Sequence, residues 1–447
     1  MHRHPHPLWG PALHLATGLA FALPLAVTAQ NAPAQPPETL AQAFEQAWAT
    51  HPLPQALPAR RSALAASRQA AEAWTAQPGA LELRAQTDRP GTDRGAQELE
   101  VGVALPLWLP GQRSRSQALA TQEDQALDAR LASARLQLAG QVREAWWAWQ
   151  RARAELALTG TQVEHAQALS NDVHRRVRAG DLARADAHQA DGALALAQSA
   201  QAHAEAQGMQ AWQFLQGVLG SARPWPLPTL VAASAEETSS QGTVLAPVTA
   251  TSDAWPIGAE PAPGEAPSDL AQHPLVRELD QQAATARQAA ELADTQSRAN
   301  PELLLGTVHS RDQRGEPRQR QLTVGLRLPW GESPAQRALA ARAHADATEL
   351  SVQAARQHQQ GQAALDGAQA RWHAAQRAHH AAQRRAKLAQ ESQGFFDKSF
   401  RLGETDLPTR LRIAQEAQEA ARQAALTAID LAAATSAWRQ AAGLLPE

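Results

Sequence analysis

The chain is written twice. Laid on itself, the 447-residue sequence shows matching stretches offset by about 220 residues, a period too long for a solenoid unit. His51-Pro52 answers to His273-Pro274, and Pro78 before Leu81-Glu82-Leu83 answers to Pro301 before Leu303-Leu304-Leu305. Val101-Gly102-Val103-Ala104-Leu105-Pro106 answers to Val324-Gly325-Leu326-Arg327-Leu328-Pro329. Ala179-Gly180-Asp181 answers to Leu402-Gly403-Glu404, and Trp212 lies near the counterpart of Trp438. A duplication of this length reads as two matched halves of one structure: a first repeat over 30–220 and a second over 269–447. The proline-rich stretch 221–268 between them reads as irregular.

Composition says what each half is made of. The chain is 44% hydrophobic but only 4% aromatic, with no Tyr, and alanine carries much of the apolar count. Alanine buries little area and favours helix, so the chain suits long, closely packed helices better than thick globular cores. Lys and Arg (41) nearly balance Asp and Glu (44), without the basic excess of a nucleic-acid protein. Zero Cys excludes disulfides, thiolate metal sites, thiol catalysis and acylation of an N-terminal Cys. The two lysines, Lys387 and Lys398, lie outside any Gly-Lys-Ser/Thr context, which excludes a P-loop ATPase.

Residues 1–29 read as an export signal: Arg3 near the start, an apolar run from Leu8 to Val27, and small residues in Val27-Thr28-Ala29. No later stretch approaches the apolar length of a transmembrane helix.

Each half has one internal order: helix, two short strands, a very long helix, a glycine turn, another helix. The first long helix is expected from about Gln112 to Arg178, roughly 100 Å at 1.5 Å per residue. Its apolar positions Leu127, Leu131, Ala134, Leu138, Val142, Ala145, Trp149, Ala152 and Leu156 step by threes and fours, the spacing of coiled-coil packing with one stutter. The second runs from about Pro334 to Phe400. Strands are expected at about 81–87, 98–107, 302–309 and 319–329. Leu99, Val101, Val103 and Leu105 share one face of their strand, as do Leu322, Val324, Leu326 and Leu328 of theirs. Apolar and polar faces on strands this long, joined by polar loops, fit a transmembrane β-barrel, with these eight residues facing lipid. Trp108 and Trp330, just past the outgoing strands, would stand in its interfacial aromatic girdle. The alternative is a pair of soluble hairpins capping a helical bundle, a periplasmic coiled-coil scaffold. Four strands cannot close a barrel and open edges are not tolerated in lipid, so insertion would require an oligomer, three copies giving about twelve strands.

The duplicated plan, the hairpins, the long helices and the glycine turns together resemble the TolC-like outer-membrane efflux channels over essentially the whole mature chain. The stretches that carry the resemblance are Val101–Pro106 with Gly111, Val324–Pro329 with Gly331, Arg178-Ala179-Gly180-Asp181, and Phe400-Arg401-Leu402-Gly403-Glu404-Thr405-Asp406-Leu407. The last looks most like the branch serving heavy-metal pumps of the cobalt–zinc–cadmium or copper–silver type. The resemblance implies a mainly α chain with a small transmembrane β part. As a homotrimer it would form an α-barrel in the periplasm and a twelve-stranded β-barrel in the lipid of a Gram-negative outer membrane. It also implies a periplasmic adaptor and a proton-driven inner-membrane pump of the RND type as partners, with drugs or exported proteins as alternative cargo.

In that family the glycine turns form the periplasmic tip that opens and meets the adaptor. Carried over, the tip comprises Arg178, Gly180, Asp181 and Asp186 in one hairpin and Arg401, Gly403, Glu404 and Asp406 in the other. Asp181, Glu404 and Asp406 are expected at helix starts, capping free N–H groups. Some relatives close the pore with aspartates after the second glycine, where this chain has Thr409 and Arg412. The histidines of the second long helix, His344, His358, His373, His379 and His380, form no His-Glu-x-x-His motif or i,i+4 pair and read as solvated helix faces. Trp146-Trp147-Trp149 reads as packing. No catalytic constellation, metal site or cofactor site is expected, and no nucleic-acid partner.

Overall fold

Two 68-residue helices set the dimensions of the molecule. The computed structural model describes residues 37–91, 94–224, 259–264, 270–331 and 333–447. The segment read as an export signal, most of the proline-rich stretch, and loop residues Thr92 and Asp93 lie outside the described residues. In chain order the elements are α1 (Leu40–Thr50), α2 (Pro52–Glu72), β1 (Ala80–Thr87), β2 (Gln97–Pro106), α3 (Gln112–Ala179) and α4 (Arg184–Leu219). After a 3₁₀ turn, Leu270–Gln272, come α5 (Pro274–Thr295), β3 (Glu302–Arg311), β4 (Gln319–Arg327), α6 (Pro334–Arg401) and α7 (Leu407–Ala441).

The two copies start and close in the same way. His51 and His273 are the N-caps of α2 and α5, each followed by proline in the first turn. The imidazole Nδ1 of each accepts a bond from the backbone N–H two residues on, Leu53 at 3.2 Å and Leu275 at 3.3 Å. Proline needs no N–H partner there, so the pair starts a helix cleanly. At the other end of each half, an indole of the long helix packs on an indole of the following helix: Trp149 on Trp212 at 5.3 Å and Trp372 on Trp438 at 5.1 Å.

α5 and α6 pack antiparallel through small residues. Buried positions recur every seven residues on both helices: Val276, Ala283 and Ala290 on α5, and Ala347, Ala354 and Gly361 on α6. Two rungs fix one register along the pair, His358 with Asp280 at 3.2 Å and His344 with Asp294 at 3.0 Å. That register sets Ala283 level with Ala354, and Gly361 faces the Val276 side chain. Small residues at such a seam let the backbones approach closely.

The long helix of the first half departs from the single stripe expected of it. From Leu136 to Gln150, α3 is buried on most sides; Leu136, Ala139, Trp146, Trp147 and Gln150 join Leu138, Val142, Ala145 and Trp149 in the interior. The reason is crowding, since α1, α2, α4, α5 and α7 all pack against α3. The main core sits here, built from Leu40, Phe44, Trp146, Trp149, Trp212, Leu215 and Ile429. α6 has far fewer buried positions.

A buried charge cluster joins the halves beside this core. Glu260, from the stretch between the repeats, is fully buried and takes a two-pronged bond from Arg143 of α3, Nε to Oε2 at 3.0 Å and Nη2 to Oε1 at 2.6 Å. Arg439 of α7 lies 3.2 Å from the same carboxylate, and Arg143 also donates to Gln440 Oε1 and the Leu444 carbonyl. Sequence reasoning missed this cluster. Its carboxylate lies in a segment without periodicity, and neither arginine stands in a motif.

Candidate membrane sheet and tip

The four strands form one antiparallel sheet in the order β1-β2-β3-β4. The two hairpins are joined by the β2–β3 pairing, which runs from Gln97↔Arg311 to Pro106↔Glu302. β1 and β4 are the edges, with no strand partner among the described residues.

Because side chains alternate along a strand, the register sorts them into rows. On one face the rows are Leu81–Val103–Leu305–Val324, Leu83–Val101–Thr307–Leu322 and Leu105–Leu303–Leu326. Leu99 stands one row nearer the loops, and Leu328 follows just past the end of β4. All eight positions expected to face lipid therefore share this face. Leu81, Leu83, Leu322, Val324, Leu326 and Leu328 are strongly exposed, Leu322 to 78%.

The other face is small and polar. Its rows are Ala80–Ala104–Leu304–Gly325, Glu82–Gly102–Gly306–Thr323, Arg84–Glu100–Val308–Gln321 and Gln86–Glu98–Ser310–Gln319. Arg84 pairs with Glu100 at 3.3 Å, and Arg327 with Glu302 at 2.7 Å. Arg327 on the β4 edge also comes within 3.9 Å of Glu82 on the β1 edge. In a flat sheet those strands would lie about 14 Å apart across the pleat, so the sheet curls toward this face. Glycine at the middle of the curl permits it: a Cβ on Gly306 would meet Thr323 Oγ1 at 2.9 Å and the Gly102 α-carbon at 3.2 Å.

At the helix-side end of the sheet the two halves differ. Trp330 is 99% exposed, but Trp108 is half-buried and its indole N–H donates to the Ala73 carbonyl at 3.0 Å. The outward-standing tryptophan of the first half is Trp74, 94% exposed at the end of α2. Sequence reasoning passed over it because it precedes the strand instead of following it.

About 100 Å along α3 and α6 the chain reverses twice. Gly180 and Gly403 take φ of 87° and 77°, the left-handed region that glycine enters without steric penalty. Arg178, Gly180, Asp181, Arg401, Gly403, Glu404 and Asp406 are all exposed here, and Asp186 is half-buried. The capping expected of three of these carboxylates does not occur. Asp181 and Glu404 lie in the turns, ahead of the helix starts. Asp406 occupies the N-cap of α7 but makes no side-chain cap bond. Asp186, inside α4, is the carboxylate that reaches back, accepting the Ala183 N–H at 3.0 Å. Two residues separate each glycine from the N-cap of the next helix, Ala183 or Asp406, so the carboxylate immediately after the glycine falls short of the cap position.

The two tip hairpins are held together from within. Phe400, at the end of α6, is buried against Val173 of α3, Ala187 of α4 and Leu407 of α7. Arg176 and Arg410 lie over its ring at 5.0 and 4.7 Å, and Arg410 is fixed by Asp397 at 2.8 Å. Nearby, Asp191 accepts from Ser170 at 2.7 Å and pairs with His174 at 3.0 Å. Those two bonds, Ser170 first, hold its carboxyl below the usual aspartate range. Of the positions compared with a pore-closing aspartate pair, Arg412 pairs with Glu416 of its own helix at 2.7 Å.

No group of three metal-ligating side chains converges among the described residues. His174, His344 and His358 pair with aspartates and His379 with the Thr427 hydroxyl, each across a helix–helix contact. The Trp146-Trp147-Trp149 cluster lies in the core, with the Trp147 N–H on Ser436 Oγ at 2.9 Å. No helix of the described residues is long and apolar enough to cross a membrane.

Residues 53–221, most of the first repeat, match the family described as outer membrane efflux protein. No curated protein matches the chain in sequence. Among solved structures, the chain is similar to CusC, whose crystal structures are described in terms of transmembrane channel formation: TM-score 0.69 at 15% identity over 91% of this chain and 92% of that one. It is similar to the outer membrane protein VceC of Vibrio cholerae, TM-score 0.67 at 14% identity over 91% and 97% of the two chains. It is also similar to the outer-membrane channel OprN, TM-score 0.66 at 18% identity over 91% and 90%. The chain therefore has the fold of these proteins.

Proposed function

We propose that this chain is one subunit of an oligomeric outer-membrane efflux channel, a passive duct fed by a periplasmic adaptor and an energised inner-membrane pump. The observation that carries the reading is the sheet: one apolar exposed face, one polar concave face, and two edges without a strand partner among the described residues. A sheet that ends in open edges is unstable in lipid, where every backbone N–H and C=O needs a partner. Copies of this chain satisfy both edges if β4 of one pairs with β1 of the next. Three copies give about twelve strands around a polar lumen. The family match of the first repeat and the shared fold support efflux as the activity. The tip residues Arg178, Gly180, Asp181, Asp186, Arg401, Gly403, Glu404 and Asp406 are the adaptor-facing surface in this reading.

For the cargo we infer heavy-metal cations, on the likeness of Phe400–Leu407 to the metal-pump branch. The protein would then fractionate with the outer membrane as an oligomer; a monomer in the soluble periplasmic fraction would sink the channel reading. Deleting the gene would raise sensitivity to zinc, cobalt, cadmium, copper or silver. Unchanged metal tolerance with raised drug sensitivity would overturn the cargo and leave the channel.

A further inference from the structure

The apolar face of the sheet changes character toward the loops. Beyond the Leu83–Val101–Thr307–Leu322 row come Ala85–Leu99–His309–Arg320 and then Thr87–Gln97–Arg311. On β3 and β4 the same face thus turns from aliphatic to basic within two to four residues. Arg311 is tied back, its guanidinium donating to the Gly95 carbonyl from Nε at 3.4 Å and Nη2 at 3.3 Å. Arg320 is exposed and makes no side-chain hydrogen bond or ion pair among the described residues, and Arg318 beside it is the same. The loop segments 88–94 and 311–320 together hold six arginines against four carboxylates. The concave face is different: Arg84 and Arg327 are both matched by glutamates. Unmatched positive charge therefore gathers on the outward face, at the loop end, next to the apolar band.

We propose that this basic rim, centred on Arg320 with Arg311 and Arg318, binds the phosphorylated headgroups of the lipid leaflet on the loop side of the membrane. The inference rests on the barrel reading above. Side chains just past the apolar band of a barrel stand at headgroup height. A guanidinium presents a planar fork of donors that fits phosphate oxygens, and basic residues at an anionic lipid surface are attracted to it. Arg311, tethered to the neighbouring loop, would hold its headgroup close to the strand, while Arg320 and Arg318 are free to close on it.

The test uses the full-length oligomer in phosphatidylcholine vesicles containing either diphosphorylated lipid A or the same glycolipid with its phosphates removed, with glycolipid retained per protein as the readout. Retention of the phosphorylated form is expected to exceed that of the dephosphorylated form. The double variant Arg318→Gln/Arg320→Gln is expected to weaken retention roughly ten-fold, from the loss of two surface cations. Arg84→Gln, which removes one cation from the concave face, is expected to leave it unchanged. A chain that inserts into plain phosphatidylcholine yet shows no phosphate preference overturns the inference and leaves the barrel intact. Equal weakening by Arg84→Gln would overturn it as well, as would loss of retention in millimolar inorganic phosphate, which would mark a site for the free anion. A chain that enters none of the vesicles overturns the barrel reading and this one with it.

Discussion

Glu260 shows how much one residue contributes where charge is buried. Its carboxylate is fully buried between Arg143 and Arg439, both about 4% exposed, and it joins a segment from between the repeats to α3 and α7. Removing its charge leaves Arg143 buried without a carboxylate and Arg439 with only Glu447, at 2.8 Å, and breaking a buried pair in this way costs about 3–5 kcal/mol. Glu260→Gln is therefore expected to lower the unfolding free energy of the helical body by about 3–5 kcal/mol, read as a lower denaturant midpoint at unchanged m-value. A second residue-scale expectation concerns pH. Burial, then the neighbouring His380, holds His379 below the ordinary histidine value of about 6.5. The unfolded chain then takes up that proton more readily than the folded one. Stability is full above about pH 6.5 and falls as the pH drops through that value toward the lowered folded pKa. In His379→Gln the decline measured between pH 7 and pH 5 should be shallower. Neither site was legible in the sequence. One Glu among several in a proline-rich stretch and a His on a mostly polar helix carry no periodic signal, and only packing removes them from water.

At the scale of elements, the seam between α5 and α6 is set by small residues at seven-residue spacing. Ala283→Leu inserts several carbons at a position that is 1% exposed and level with Ala354, and overpacking of this kind costs about 1–3 kcal/mol. The expected result is a lower thermal midpoint, with Ala283→Ser far milder. The glycine turns make a different point. A Cβ at Gly403 would meet nothing within 4 Å, so Gly403→Ala acts through its positive φ alone, at about 1 kcal/mol. Faster proteolysis at the turn, with the core unaffected, would show this. These elements were readable in outline. Helix lengths, strand alternation and the reversals at Gly180 and Gly403 follow from local patterns. The carboxylate that closes the α4 turn, Asp186 and not Asp181, depends on how tightly the chain folds back after the glycine.

For the whole molecule, the two faces of the sheet give opposite expectations for one chemical change. Leu83 and Gln321 lie one row apart in the same sheet but on opposite faces. Leu83→Arg places a charge on the lipid side of the proposed barrel, costing about 2–4 kcal/mol near its middle, and should abolish the oligomer in outer-membrane fractions. Gln321→Arg adds the same charge to the concave side and should leave that oligomer in place. Equal tolerance of both changes would argue for hairpins that stay in water.

The duplication, the two faces of each strand, the long helices and the positions of their reversals could all be read from the sequence. They are set by side-chain periodicity and backbone preference within a few dozen residues. Tertiary structure decided the rest: the β2–β3 pairing that fuses the two hairpins, the curl that brings Arg327 within reach of Glu82, and the exchange of Trp108 for Trp74 as the outward indole. It also decided the crowding that buries α3 on most sides, and the seating of Phe400 between two arginines. Each depends on contacts between segments far apart in the chain, whose free energy exists only when both partners are already in place, so no local pattern announces them.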